Sequence, residues 1–306
     1  MNVLVTGCAG FIGSHTCKEL LQSGHCVFGV DSMSYAADPE KLEKLKQFGS
    51  FRFYECDIND SERLKEIISL SGITRILNFA AETHVDNSIL SVAPFIYSNI
   101  QGVASLIDVT RSSGIHLIHI STDEVYGVPE SGQVFDESSP LNPRNPYSAT
   151  KASADHLVLS AINTHGISAH IIRPSNNFGP GQHSEKFIPT IMRSVRSNQK
   201  IPVYGDGRQR REWTFVKDTA RSISEFLSDL ESKTSVIYNL SSENQMSNID
   251  VINVICKMIG ENPVDHISYV ADRPGHDREY RITNSILRHK TPFEDAIRQT
   301  VAGDAL

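Results

Sequence analysis

A tyrosine and a lysine four residues apart, Tyr147 and Lys151, are the first side chains in this sequence whose spacing suggests chemistry. Residues i and i+4 lie on one face of an α-helix. An ammonium group beside a phenol favours the phenolate, so we expect Lys151 to lower the pKa of Tyr147. Such a phenolate could take a proton from a sugar or alcohol hydroxyl during an oxidation. The same spacing is also typical of an exposed helical turn without any function.

A second group of reactive side chains, Thr122, Asp123 and Glu124, follows an apolar run that predicts a strand over His116–Ser121. Open α/β sheets bind their ligands beyond the carboxyl ends of the strands, so we expect this group beside Tyr147. Thr122 can donate to a substrate oxygen. Two carboxyl groups in one cleft have pKa values that are pushed apart, which suits one acid and one base. Alternatively, one carboxylate caps a helix and the other is solvated.

Three glycines, Gly7, Gly10 and Gly13, form a G-x-x-G-x-x-G pattern directly after the first predicted strand. Glycines here permit a tight turn and a close approach of the backbone to a pyrophosphate at a helix N-terminus. Asp31 ends the second predicted strand, close to the spacing expected for an acid that binds a ribose. A carboxylate there repels a 2′-phosphate, so the sequence predicts NAD rather than NADP. A glycine turn that binds no ligand is the alternative.

The elements that must position these side chains alternate along the first half of the chain. Short apolar runs predict strands, and helix-length segments separate them. The strands are expected at Asn2–Thr6, Cys26–Asp31, Phe51–Asp57, Arg75–Ala80 and His116–Ser121, and two of the helices at Ser14–Gln22 and Ser61–Leu70. This alternation predicts an α/β protein with a Rossmann-type, doubly wound parallel sheet whose two faces are covered by helices.

The second half of the sequence differs from the first half in composition and in the order of its predicted elements. Residues 173–183 are rich in proline, glycine and asparagine, which predicts a long functional loop. Beyond it we expect helices near Lys186–Ser197, Asp218–Leu230 and Asn248–Ile259, and a strand at Val236–Leu240. We therefore predict an NAD-binding domain over residues 1–173, to which a segment near 218–240 returns. A smaller α/β substrate domain would occupy residues 174–306, interleaved with the first.

Composition excludes several classes of protein. The formal net charge of −7 disfavours a nucleic-acid binder, and no run of apolar residues is long enough to cross a membrane. Five cysteines without a C-x-x-C pair predict reduced, mostly buried thiols in a cytoplasmic protein, and no signal peptide is visible. None of the 12 histidines joins cysteines or carboxylates at metal-ligand spacing, so we expect no metal.

Together these motifs resemble the extended short-chain dehydrogenase/reductase family and, within it, the dTDP-glucose 4,6-dehydratase subgroup. The matching stretches extend from residue 3 to about residue 280 and include VTGCAGFIGSH, STDEVYG, NPYSATKASADH, RPSNNFGPGQHSEKFIP and ADRPGHDREY. Related epimerases usually carry serines where Asp123 and Glu124 stand. Glu279 departs from the subgroup, which usually has a second arginine there.

The resemblance implies a role for each matching residue. Thr122 and Tyr147 would flank the glucose 4-hydroxyl, and Lys151 would support Tyr147 and the nicotinamide ribose. Asp123 would be the general acid at the 6-hydroxyl, and Glu124 the base at C5. The residues implied around NAD are Gly7, Gly10, Phe11, Ile12, Gly13, Asp31, Asp57, Ile58, Ala80, Ala81, Glu82, Tyr147 and Lys151. Those implied for the nucleotide diphosphate are Asn177, Lys186, Tyr204, Arg211, Asn239, Arg273 and His276.

The implied reaction is the NAD-dependent conversion of a nucleoside-diphosphate glucose, with dTDP-glucose favoured, to a 4-keto-6-deoxy sugar nucleotide by a homodimer. A UDP-glucose 4,6-dehydratase stays open, since one methyl group is worth only about 1–3 kcal/mol in a pocket. An epimerase or decarboxylase of the same fold would share the glycine loop and Tyr147, but the acid pair argues against it. A non-catalytic NAD-binding sensor would need neither the acid pair nor Tyr147 with Lys151.

Overall fold

A seven-stranded parallel sheet forms the centre of the structure, a computed structural model that describes residues 1–272 and 276–303. In chain order the strands are Asn2–Thr6 (β1), Cys26–Asp31 (β2), Phe51–Glu55 (β3), Arg75–Asn78 (β4), His116–Ile120 (β5), Ala169–Pro174 (β6), Asn176–Phe178 (β7), Ile201–Tyr204 (β8), Arg210–Phe215 (β9), Ile237–Leu240 (β10), Gln245–Ser247 (β11) and Ile267–Val270 (β12). The order across the sheet is β10-β6-β5-β4-β1-β2-β3, with every neighbouring pair parallel. This topology confirms the predicted α/β class and Rossmann-type sheet.

Helices alternate with the strands. They are Phe11–Gln22 (α1), Pro39–Lys46 (α2), Ser61–Ser71 (α3), Val85–Leu90 (α4), Ala93–Phe95 (α5), Gly102–Ser113 (α6), Pro146–His165 (α7), Phe187–Arg196 (α8), Val216–Ser228 (α9), Asn248–Ile259 (α10) and Phe293–Ala302 (α11). The segment Ile96–Gln101 is π-helical and joins α5 to α6 in one continuous helix.

Both faces of the sheet are buried, which explains the apolar strands. On β1, Val3 and Val5 belong to one apolar cluster, together with side chains of α1 and α9. Leu4 points the other way and belongs to a second cluster, with side chains of α3, α6 and α7. Because successive side chains of a strand alternate between two covered faces, no position in the middle of β1 needs a polar residue.

Three strands end earlier than the sequence predicted, and β5 does so by one residue, at Ile120 instead of Ser121. β3 ends at Glu55 instead of Asp57, and β4 ends at Asn78 instead of Ala80. Asp57 and Ala80 leave the sheet and line the cleft beyond its carboxyl edge. The predicted α3, α8, α9 and α10 lie within two residues of their expected bounds.

The second half adds a smaller α/β portion. β11, β9 and β7 form a three-stranded sheet, and β12 pairs with β8 in parallel. These strands pack with α8, α10 and α11 around a third apolar cluster. The later elements β10 and α9 pack on the first portion, since β10 pairs with β6 and α9 contacts α1. The division into two domains at residue 173 stays a prediction.

A chain of buried polar side chains lies beneath the carboxyl edge of the main sheet. Nε of Arg173 on β6 donates to Oδ2 of Asp155 on α7 at 2.9 Å, and both side chains are almost fully buried. Nη1 of Arg173 donates to the Tyr126 hydroxyl at 2.8 Å, and that hydroxyl donates to Oδ1 of Asn239 at 2.9 Å. These contacts join α7, β6 and β10 to the segment that follows β5.

The same chain of buried polar side chains continues toward the glycine loop. A ring nitrogen of His119 on β5 lies 3.8 Å from Oδ1 of Asp155, and the other lies 3.0 Å from the Asn78 amide nitrogen. The Thr6 hydroxyl in turn donates to Oδ1 of Asn78 at 2.6 Å. Strands β1, β4 and β5, whose carboxyl ends border the cleft, are thereby held in one network.

This arrangement predicts a large loss of stability when the buried ion pair is broken. Asp155→Ala leaves the Arg173 guanidinium buried without its carboxylate, which typically costs about 3–5 kcal/mol. Chemical denaturation monitored by circular dichroism measures the change. Glu43→Ala, which removes the exposed partner of Lys46, is the matched control and should cost less than about 1 kcal/mol. Equal effects of the two substitutions would contradict the importance of the pair.

Candidate active site

A cleft of about 490 Å³ lies beyond the carboxyl edge of the main sheet, where parallel α/β sheets bind ligands. Its lining includes all the residues predicted for catalysis and for the cofactor, and two of those predicted for the substrate. These are Gly7, Gly10, Phe11, Ile12, Gly13, Asp31, Asp57, Ile58, Ala80, Ala81, Glu82, Thr122, Asp123, Glu124, Tyr147, Lys151, Asn177 and Lys186. One cavity therefore brings together motifs that are far apart in the sequence.

The glycine loop is shaped for a close approach of the backbone. Gly7 has a φ of +68°, and a Cβ atom there would lie 2.7 Å from the Ala80 nitrogen. A Cβ atom on Gly13 would lie 2.2 Å from the Gly7 carbonyl oxygen. The loop leads into α1, whose first turn contains no acidic residue. The N-terminus of α1 is therefore suited to an anionic group such as a pyrophosphate.

Asp31, at the end of β2, is hydrogen-bonded to the backbone of this loop. Its carboxylate accepts hydrogen bonds from the backbone N–H groups of Ala9 at 2.9 Å and Met33 at 3.0 Å. Burial raises the pKa of Asp31, and the two backbone donors act in the opposite direction. Asp31 thus holds the loop in addition to lining the cleft. These residues fit an NAD molecule: the loop and helix would hold the pyrophosphate, and Asp31 a ribose.

Thr122 and Asp123 begin a 3₁₀ turn, Asp123–Tyr126, directly after β5. The Thr122 hydroxyl oxygen accepts from the Glu124 N–H at 3.3 Å, and its hydroxyl donates to Oδ1 of Asp123 at 3.2 Å. Within the described residues, Oδ2 of Asp123 is buried without a hydrogen-bond partner. Burial, together with the charges of Glu124 and Glu212, raises the pKa of Asp123 well above its usual value. A raised pKa is what a carboxyl group needs to serve as a proton donor.

Glu124 has a different environment. Its Oε2 accepts from Nδ2 of Asn145 at 3.0 Å and from the Tyr280 hydroxyl at 3.3 Å. Asn145 is itself fixed, because it caps α7 by accepting from the Ser148 N–H at 2.8 Å. The two neighbouring carboxyl groups therefore differ in their surroundings, and their roles as acid and base stay a prediction.

Tyr147 and Lys151 lie on the first turns of α7, and both are buried. The expected lowering of the Tyr147 pKa is wrong for this structure. Burial, followed by the charge of Glu124, raises the pKa of Tyr147, while a hydrogen bond to Thr122 acts in the opposite direction. Nζ of Lys151 donates to the Ile120 carbonyl oxygen at 2.7 Å. Burial lowers the pKa of Lys151 to about 8.

The helix that carries Tyr147 is fixed by contacts that the sequence analysis missed. The Ser88 hydroxyl oxygen accepts from the Tyr147 N–H at 3.2 Å. Asn99, in the π-helical segment, donates from Nδ2 to Thr150 at 3.0 Å, while its Oδ1 accepts from the Glu82 N–H at 2.8 Å. The pattern Asn-Pro-Tyr-Ser at residues 145–148, an N-cap followed by proline, could have identified the start of α7. Ser88 and Asn99 had no comparable signal.

Only two of the residues predicted for the nucleotide diphosphate line the cleft in the described part of the chain. Asn177 and Lys186 do so, and Nζ of Lys186 also donates to the Thr83 carbonyl oxygen at 3.0 Å. Asn239 is fully buried and is bonded to Tyr126 and Thr283, so its amide belongs to the polar chain beneath the sheet.

The other predicted phosphate and base ligands that the structure describes do not line this cleft. Arg211 is buried and donates to the carbonyl oxygens of Arg210 and Asp277, each at 2.8 Å. A ring nitrogen of His276 lies 2.6 Å from a carboxylate oxygen of Asp272, and the ring contacts Tyr204 edge-on. Arg273 lies outside the described residues. The assignment of these side chains to the substrate stays a prediction.

Similarity to known proteins agrees with this geometry. The sequence model of the NAD dependent epimerase/dehydratase family matches residues 3–241. The chain belongs to this family. It is 42% identical to the low-salt glycan biosynthesis protein Agl12 of Haloferax volcanii, over 92% of this chain and 90% of the relative. It is 37% identical to a dTDP-glucose 4,6-dehydratase of Escherichia coli, over 98% of this chain and 92% of the relative.

A solved structure, the dTDP-glucose 4,6-dehydratase DesIV from Streptomyces venezuelae with NAD bound, superposes with a TM-score of 0.92 at 34% identity. The match covers 99% of this chain and 96% of DesIV. Family membership confirms the predicted family and NAD as the cofactor. The chain is an enzyme of the nucleotide-sugar dehydratase/epimerase type.

The described residues contain no helix that is long and apolar enough to cross a membrane. The same part of the chain contains no group of three or more histidine, cysteine, aspartate or glutamate residues that could hold a metal ion. The five cysteines are free thiols, and all of them except Cys26 are buried.

The position of Asp31 predicts the cofactor preference. Asp31→Asn keeps the size of the side chain and removes its negative charge. Binding of NADP relative to NAD should increase about tenfold, because a carboxylate near the ribose repels a 2′-phosphate. Titration of tryptophan fluorescence with each cofactor measures the ratio. Asp60→Asn, at the N-cap of α3, is the control, since asparagine caps helices equally well. An unchanged ratio in Asp31→Asn would remove Asp31 from the ribose site.

Proposed function

We propose that this enzyme is an NAD-dependent 4,6-dehydratase that acts on a nucleoside-diphosphate glucose, with dTDP-glucose favoured. The observation that carries the proposal is the pair of unlike carboxyl groups in the cleft. Asp123 is buried and its pKa is raised, whereas the adjacent Glu124 accepts a hydrogen bond from Asn145. An elimination of water needs such an acid and base on neighbouring carbon atoms.

The first step is oxidation at C4 of the sugar. Bound NAD supplies the acceptor for the hydrogen and electron pair from C4, and its nicotinamide adds positive charge to the cleft. The Tyr147 side chain, beside Thr122, would act as the phenolate and take the proton of the 4-hydroxyl, which returns the phenol. Lys151 adds positive charge on the same helical face, which opposes the effect of burial on the phenolate.

Elimination follows from the chemistry of the 4-ketone. A ketone acidifies the neighbouring C5 hydrogen, because the resulting carbanion is an enolate. Glu124 would remove that proton, and Asp123 would donate its proton to the departing 6-hydroxyl, so that one water molecule leaves. Glu124 then returns its proton to C5 as C6 is reduced. The product is the 4-keto-6-deoxy sugar nucleotide, and the cofactor ends in the state in which it began.

The nature of the base in the nucleotide rests on the relatives. Several relatives at 35–37% identity are dTDP-glucose 4,6-dehydratases, which supports dTDP-glucose. The relative at 42% identity is named for glycan biosynthesis and not for a substrate, so its name does not favour dTDP-glucose over UDP-glucose. UDP-glucose is therefore kept as the second candidate. A sugar-nucleotide epimerase needs no acid and base at C6 and C5, and a non-catalytic sensor needs no buried acid.

The proposal extends to assembly and location. A homodimer would cover the exposed apolar side chains of Leu90, Val92 and Ile96 on the consecutive segments around α4 and α5. Free thiols at Cys8 and Cys17 in the core support a cytoplasmic location, where thiols stay reduced.

A side-by-side assay tests the proposed substrate. Purified protein with NAD is incubated with dTDP-glucose, UDP-glucose and GDP-mannose in parallel. We expect dTDP-glucose to be consumed fastest, with a product that absorbs ultraviolet light in alkali, as 4-keto-6-deoxy sugars do. Mass spectrometry should show the loss of one water. A product of unchanged mass would indicate an epimerase instead.

The roles of the two carboxyl groups predict a separation of steps. Glu124→Gln cannot accept the C5 proton, so it should still form reduced cofactor with substrate but release product about 10²–10⁴-fold more slowly. Deuterium from the solvent should not enter C5. Asp123→Asn should keep some C5 exchange and lose water slowly. Tyr147→Phe is the comparison, since it should suppress the formation of reduced cofactor itself. Wild-type dehydration by Glu124→Gln would show that another group is the base.

A further inference from the structure

The hydroxyl of Tyr280 lies between two carboxyl groups. It is 3.3 Å from Oε2 of Glu124, and it is also hydrogen-bonded to Oδ2 of Asp277. A phenol has one hydrogen, so it can donate to only one of these acceptors at a time. Its oxygen can at the same time accept a hydrogen bond. The arrangement is tertiary, because Glu124 and Tyr280 are 156 residues apart in the sequence.

The surroundings hold Tyr280 in place. Its side chain is almost fully buried, and the Arg211 guanidinium lies over the ring at 4.2 Å from the centroid. Arg211 also donates to the Asp277 carbonyl oxygen, and Nε of Arg144 lies 3.4 Å from Oδ1 of Asp277. Tyr280 and its acceptor Asp277 are therefore held by the same arginine, Arg211.

The phenol keeps its hydrogen in this environment. Burial, followed by the charge of Glu124, raises the pKa of Tyr280 well above its usual value. Tyr280 thus stays neutral and does not itself take protons from the substrate. It differs from Asn145, the other donor to Oε2, because the amide nitrogen of Asn145 can donate but not accept.

We propose that Tyr280 is a positioning residue that holds Glu124 in both protonation states, with Asp277 as the alternative acceptor for its hydroxyl. This inference rests on the proposed function, in which Glu124 is the C5 base. When Glu124 is a carboxylate, the phenol donates to Oε2. After Glu124 has taken the C5 proton, the new acid donates to the phenol oxygen, and the phenol hydrogen turns to Asp277. The proton taken from C5 stays on the Glu124 carboxyl group, where it can exchange with solvent before it returns to C5, and it does not pass to Tyr280.

Tyr280→Phe tests this role in the full-length protein with NAD and dTDP-glucose. The ring and its contact with Arg211 are retained, and only the hydroxyl is lost. We expect solvent deuterium to enter C5 about ten- to a hundredfold more slowly, as for the loss of a hydrogen bond to a charged group. Formation of reduced cofactor, which precedes the base step, should stay within about threefold of wild type.

Two further variants separate positioning from folding. Tyr238→Phe removes another phenol, which accepts from the Ser235 N–H far from Glu124, and should change neither rate. Asp277→Asn should alter the C5 exchange rate in the wild-type background but not in the Tyr280→Phe background, because its effect passes through the phenol.

The outcomes are distinct. Slower C5 exchange with retained cofactor reduction supports the positioning role. Unchanged exchange in Tyr280→Phe overturns it, and so does an equal fall of both rates, which indicates a general structural effect. If wild-type protein neither reduces its cofactor nor exchanges C5 with any sugar nucleotide, the proposed function itself fails, and the role of Tyr280 with it.

Discussion

The buried ion pair of Asp155 and Arg173 is the constraint on which the site depends. Two charges removed from water are tolerated only when they are paired and further hydrogen-bonded. That requirement fixes α7 against β6, and therefore fixes the helical turn that presents Tyr147 and Lys151. Through the Tyr126 hydroxyl it also fixes the short turn that carries Asp123 and Glu124. Both halves of the reactive group are tied to one buried charge pair.

The two carboxyl groups, Asp123 and Glu124, differ in their burial and in the hydrogen-bond donors that they meet. Asp123 is enclosed, and its neighbours include two other carboxyl groups, Glu124 and Glu212. Glu124, one residue further along the turn, meets Asn145 and Tyr280 as donors. One residue of displacement is enough to exchange an enclosed position beside two carboxyl groups for one that faces two side-chain donors. The difference between the two carboxyl groups thus depends on the turn after β5 and on the side chains that contact this turn.

The smaller portion of the molecule also takes part in shaping the reactive group. Arg211 on β9 stacks on Tyr280 and donates to the Asp277 carbonyl oxygen, so the surroundings of Glu124 include elements beyond residue 200. Glu212, the next residue on β9, accepts from the Ser241 hydroxyl and from the Ile282 N–H. A change in this part of the molecule can therefore affect Glu124 without altering the glycine loop.

The sequence by itself determined the features that depend on local spacing. Apolar runs gave the strands of the parallel sheet, the glycines gave the loop before α1, and the i, i+4 spacing placed Tyr147 and Lys151 on one helical face. Asp31 was found by its distance along the chain from that loop. Each of these follows from backbone geometry over at most a few tens of residues.

Only the tertiary structure decided what surrounds each group. The direction of the Tyr147 pKa was predicted wrongly, because burial and then the charge of Glu124 raise it, and both are properties of the packed molecule. The hydrogen bond between Tyr280 and Glu124, and the stacking of Arg211 on Tyr280, are contacts between segments that are distant in the sequence. Spacing in a sequence shows which residues can meet on one element, whereas desolvation and partner choice arise only when separate elements pack together.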